Sequence, residues 1–152
     1  MGCVRQVCYS VIMKDRGKEK EIDQADLVEL DFLERLASRL PKDDEILKVI
    51  GDLYTRVGRY EKGLETDRQL AALCPEDALV WYNLGCSLAL LSRRDEALEA
   101  LARAVTLGYQ DHEWMSSDSD LRSLRDDTAF RWLLRKITTG AAKAKKGDSE
   151  SG

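Results

Sequence analysis

The 152-residue sequence holds a single histidine, His112, and two prolines, Pro41 and Pro75. One imidazole in the context DHEWM gives no partnered base for a nucleophile, and the ten glycines are scattered instead of gathered into a phosphate-binding loop. The four cysteines, Cys3, Cys8, Cys74 and Cys86, lack C-x-x-C spacing and a histidine cluster, so neither a zinc site nor a disulfide framework is expected. Asp118, Asp120 and Asp126 lack the glycine and the closing glutamate of a calcium loop. The acidic pairs Asp43-Asp44 and Asp126-Asp127 each precede a helical pattern, where capping and dipole stabilisation account for them. No enzymatic activity, cofactor or metal is therefore expected.

Two further shortages bear on partners and place. No run approaches the roughly eighteen apolar residues of a membrane span, and VCYSVIM (7–13) is too short and too polar for a secretory core, so a cytoplasmic protein without a membrane partner is expected. The opening Met1-Gly2-Cys3 puts Gln6 where a myristoylation pattern wants serine or threonine. Formal charge is −4, with the negative excess in residues 43–111, and the basic balance that draws a domain to nucleic acid is missing. The lysines 143, 145 and 146 are followed by Asp148 and Glu150 and read as a solvated tail.

What the sequence does have is helical periodicity, in a chain that is 43% hydrophobic and 34% charged, a balance suited to one domain with a real core. Residues 1–21 show no sustained period and read as a flexible arm. From Asp23, a cap, Ala25, Val28, Phe32, Leu33, Leu36, Ala37 and Leu40 recur at three- and four-residue steps until Pro41. Ile46, Leu47, Ile50, Leu53, Tyr54 and Val57 form the next stripe, Gly58 suits its end, and a second helix carries Leu64, Leu70, Ala71 and Leu73 to Pro75. The pattern then begins again at Asp77.

The repetition is regular: Pro41 to Pro75, Leu47 to Trp81, Gly51 to Gly85 and Gly63 to Ala97 are each 34 residues apart. A fixed period of that length made of two helices signals stacked hairpins, because one such unit cannot bury its own apolar face. The motif Trp81-x-x-Leu84-Gly85-x-x-Leu88, followed by Ala97-x-x-x-Leu101-x-x-Ala104, resembles the tetratricopeptide repeat. The first copy keeps Leu47-x-x-Ile50-Gly51-x-x-Tyr54, but has Gly63 and Asp67 where the family has alanine and a large apolar residue.

The resemblance implies an all-α fold of antiparallel helical hairpins stacked as a short right-handed solenoid. Its expected parts are a partial unit (22–41), two repeats (43–77 and 78–111) and a closing segment (112–137), with a disordered tail over 138–152. The closing segment resembles one found in bacterial proteins of the family, anchored by Trp114, Met115, Leu121, Leu124, Phe130, Leu133 and Leu134. Gly51, Gly85, Ala97 and Ala104 are the expected points of close helix approach. Glycine inside a helix costs about 1 kcal/mol relative to alanine, which such packing offsets.

In this family the first helices line a concave face. By position its contacts here are Lys48, Asp52, Thr55 and Arg56 in one repeat and Leu79, Tyr82, Asn83, Cys86 and Leu90 in the next. Lys48 and Asn83 fall on two positions of a carboxylate clamp used by some relatives. Asp52 stands where that clamp needs an asparagine, and its charge argues against the mode. The resemblance thus implies a non-enzymatic adaptor that binds a peptide segment of another protein, with a self-associating structural subunit or a secretion-type chaperone as the alternatives.

Overall fold

The computed structural model describes residues 23–147; the expected arm over 1–21 and residues 148–152 of the expected tail lie outside the described residues. The fold is all-α. The chain divides between Pro75 and Glu76 into two compact units, a subdivision of the single domain expected from the period. Repeats lend themselves to it, since each contacts only its neighbours in the chain.

The first unit contains α1 (Gln24–Arg39), α2 (Asp44–Arg56) and α3 (Tyr60–Leu73). Its centre is Leu30 of α1 against Ile50, Leu53, Tyr54 and Val57 of α2, with Leu27, Leu33, Ala37 and Ile46 around them. This corrects the sequence reading of α1. Val28 and Phe32, read as part of one apolar face, are each 63% exposed, while Leu30, which that reading passed over, is buried. The helix carries two apolar stripes about two fifths of a turn apart, and α2 covers the one running through Leu27, Leu30, Leu33 and Ala37.

The second unit contains α4 (Ala78–Leu90), α5 (Arg94–Thr106), α6 (His112–Ser117), a 3-10 helix (Ser119–Leu124) and α7 (Thr128–Gly147). The hairpin of α4 and α5 is followed by a segment that doubles back, with Met115, Leu121, Leu124, Phe130 and Leu133 all buried. Ile137 is buried as well, and α7 continues helical through 138–147, where a disordered tail is expected from the sequence. The reason lies in composition: Ala141, Ala142 and Ala144 alternate with lysines, all strong helix formers.

Aspartates set the helix starts. Asp43 Oδ1 accepts from the Ile46 amide at 3.0 Å, and Asp77 Oδ1, 34 residues on, accepts from Leu79 at 2.9 Å. Each satisfies a donor that the first turn leaves without an intrahelical partner. The second helices start instead at Arg59 and Arg93, which make no side-chain cap. Each follows a left-handed residue, Gly58 (φ 74°) in the first hairpin and Ser92 (φ 59°) in the second.

Candidate partner-binding face

The interior of each hairpin fixes how its first helix is presented. In the second, a Cβ on Gly85 would stand 2.7 Å from Leu101 Cγ and 3.4 Å from the Ala97 carbonyl oxygen, with Ala97, Leu101 and Ala104 fully buried. That contact permits nothing larger than hydrogen at 85 unless the Leu101 side chain shifts. In the first hairpin, a Cβ on Gly51 would lie 3.2 Å from Asp67 Oδ1, and one on Gly63 would meet only ordinary contacts at 3.4 Å and beyond. Asp67, the counterpart of Leu101, is buried.

On α2 the four expected contact residues are partly accessible and tied into short-range interactions. Lys48 Nζ lies 2.9 Å from Asp44 Oδ2 and 3.3 Å from Glu45 Oε1. Burial works against its charge, yet the hydrogen bond and charge of Asp44, with Glu45 beside it, hold the ammonium above the usual lysine range. Arg56 pairs with buried Asp26 of α1 and sits 3.7 Å from Asp52. Thr55 Oγ1 donates to the Gly51 carbonyl at 3.2 Å.

Beside them Glu34 of α1 joins all three helices of the unit. Its Oε1 accepts from the Tyr54 hydroxyl at 2.5 Å and from Lys62 Nζ at 3.0 Å, and Arg59 stands 3.9 Å away. The Tyr54 hydrogen bond leads in holding the Glu34 carboxyl below its usual range, Lys62 and Arg59 add to it, and burial opposes. The Tyr54 phenol is pushed up, by burial and then by Glu34.

On α4 the structure departs from the expected groove. Tyr82 is 1% exposed and Cys86 5%, so neither meets solvent. The Tyr82 hydroxyl donates to Asp118 Oδ2 at 2.6 Å, and the Cys86 thiol approaches the same oxygen at 3.8 Å. Asp118 Oδ1 accepts from the Asp120 amide at 3.0 Å and so caps the 3-10 helix. Tyr109 stacks on Tyr82 with centroids 4.4 Å apart and planes 4° from parallel, and Ser123 Oγ donates to the Ala89 carbonyl at 3.5 Å. The chain's own closing segment occupies the face on which a partner is expected. Leu79, Asn83 and Leu90 stay half-buried.

Burial raises the Tyr82 phenol first, and Cys86 and Asp118 raise it further; Tyr109 is raised by burial and then by Asp111. Both are held as neutral hydroxyls in a closed polar cluster whose groups fasten the segment. Asp118 and Tyr109 were not singled out as members of this site by the sequence. The signal available was Asp118 directly ahead of the apolar pair Leu121 and Leu124, a cap that brings a carboxylate with it.

No family model matches the chain. Among curated proteins it is 31% identical over 87 residues to a chloroplastic protein of Arabidopsis thaliana, covering 55% of this chain and 26% of that one. It is 39% identical over 74 residues to the CTR9 homolog of the same plant, covering 49% of this chain and 7% of the relative. To the peroxisomal targeting signal receptor of Eremothecium gossypii it is 34% identical over 74 residues, covering 48% and 13%. The paired helices and these likenesses are consistent with a tetratricopeptide-like repeat. The chain spans about a quarter or less of the length of these relatives. Its two hairpins differ in what lies on the first helix: α4 is sealed by the closing segment, while α2 keeps a partly accessible row of charged and hydroxyl side chains.

Proposed function

We propose that this chain is a non-enzymatic adaptor that binds a peptide segment of another protein, with the α2 face as its principal grip. The observation that carries the reading is the partial exposure of Lys48, Asp52, Thr55 and Arg56 on α2, against the closed Tyr82 and Cys86 on α4. Two cations and an anion along one helix suit a peptide of mixed charge, oriented by those charges and held by hydrogen bonds to its backbone. One relative is named as a receptor for a targeting signal, which is a binding role. Nothing in this reading requires chemistry on the bound segment.

The test is fluorescence anisotropy with the strongest binder from an array of mixed-charge peptides. Thr55→Arg and Lys48→Glu, both at partly exposed positions, are expected to weaken binding at least about tenfold, or roughly 1.4 kcal/mol, with helix content unchanged. Equal affinity in wild type and both variants overturns the reading.

A further inference from the structure

The helix α7 carries two unlike faces. Phe130, Leu133 and Ile137, three and four residues apart, are buried. Asp127 starts the helix, one carboxylate oxygen accepting from the Ala129 amide at 2.7 Å while the other pairs with Arg94 of α5. On the opposite face Arg131 and Arg135, four residues apart, form one row and Trp132 and Lys136 the next, all of them exposed. Trp132, at 53%, is the one large apolar side chain of the second unit that stands exposed among the described residues. Lys136 Nζ lies 5.2 Å from the centre of its ring.

This face lacks the compensation that cations receive elsewhere in the chain. Arg35 stands 2.8 Å from Asp31, and Arg93 stands 2.7 Å from Glu96. From Thr128 to Gly147, by contrast, α7 has no aspartate or glutamate. Among the described residues no carboxylate pairs with Arg131, Arg135 or Lys136, and Arg131 donates to the Asp126 carbonyl at 2.8 Å. Like charges four residues apart on a helix repel each other, a cost that a bound anion relieves. We infer that the Arg131, Trp132, Arg135 and Lys136 face of α7 is a docking site for an acidic segment of a partner protein, two or three carboxylates set around one apolar side chain.

Size and charge select this occupant. From Arg131 to Lys136 the face runs for about 8 Å at 1.5 Å per helical residue, the reach of a few peptide residues. Three cations in that length match two or three carboxylates, and the Trp132 ring supplies the anchor on which an apolar side chain packs. A lipid surface asks for more, since polybasic adhesion draws on clusters of roughly four to eight cations. The apolar side of α7 that would enter a bilayer is already turned into the core. A nucleic acid would meet a chain of net charge −4.

The experiment titrates the full 152-residue chain with an array of short fluorescein-labelled peptides, each carrying glutamates around one leucine, phenylalanine or tryptophan. Anisotropy gives the affinity, and the Trp132 indole resonance, assigned through Trp132→Phe, reports the place. The tightest peptide is expected to shift that resonance and to be released by salt. Arg135→Glu, at an exposed position, is expected to weaken it at least about tenfold with helix content unchanged, and so is replacement of the peptide's glutamates by glutamine. Lys48→Glu is expected to leave this binding in place, so loss of the α2 reading and loss of this one are told apart. The inference is overturned if no peptide of the array moves the Trp132 resonance, or if Arg135→Glu binds as tightly as wild type. It is overturned equally if phosphatidylserine vesicles, a single-stranded oligonucleotide or a second copy of the chain occupies the face in preference to the acidic peptides.

Discussion

The two hairpins hold glycines at the same place and treat them differently. In the second, Gly85 lies under Leu101 beside fully buried Ala97, so the helices approach as closely as the backbone allows. In the first, Gly51 faces the carboxylate of Asp67, and Gly63 has ordinary contacts only. The outer faces differ as well, since α4 is sealed by the closing segment through Asp118 and α2 is not. The two repeats share their spacing more strictly than their interiors, and the hairpin with the tighter interior is the one whose face is closed.

The largest effect is expected from unfastening that closure. Asp118→Ala removes the acceptor of the Tyr82 hydroxyl and the cap of the 3-10 helix, a combined loss of about 2–4 kcal/mol in urea unfolding. Asp118→Asn, whose single amide oxygen can accept in only one of the two places, should recover part of it. Next comes Gly85→Ala: its methyl would stand 2.7 Å from Leu101 Cγ, and the overpacking should outweigh the gain in helix propensity, for a net loss of about 1–3 kcal/mol.

The opposite sign is expected for Gly63→Ala, where there is room for a methyl and helix propensity favours alanine, giving a gain of about 0.5–1 kcal/mol. Loss of stability there would show that the first interior is as tight as the second.

The smallest effect concerns acid. The folded-state pKa of Glu34 is depressed from its ordinary 4.5, so its contribution is present above that pH and lost as pH falls through the folded value. The stability of Glu34→Gln should therefore fall less steeply than wild type in acid. Parallel slopes would remove Glu34 from the account.

The periodicity made the helices, their aspartate caps and the close approach at Gly85 legible, because each depends on residues within one hairpin. Three features escape it, the first two because they depend on longer-range choices. Both apolar stripes of α1 satisfy a helical period, and only the position of α2 decides that Leu30 is the one buried. The Tyr82 face reads as a groove until Asp118, 36 residues on, is seen to fold over it. The helix over 138–147 follows from alanine and lysine propensity, which a search for apolar periodicity overlooks.

Pulsed alkylation of the native protein, read peptide by peptide, tests most directly whether the closing segment seals α4 through Asp118. Cys74 in the first unit and Cys86 in the second are both buried thiols, so each unit carries its own reporter. Asp118→Ala is expected to speed labelling of Cys86 by at least about tenfold, the factor for 1.4 kcal/mol, while Cys74 keeps its wild-type rate. Unchanged labelling at Cys86, or equal acceleration at both thiols, would contradict a seal that is local to α4.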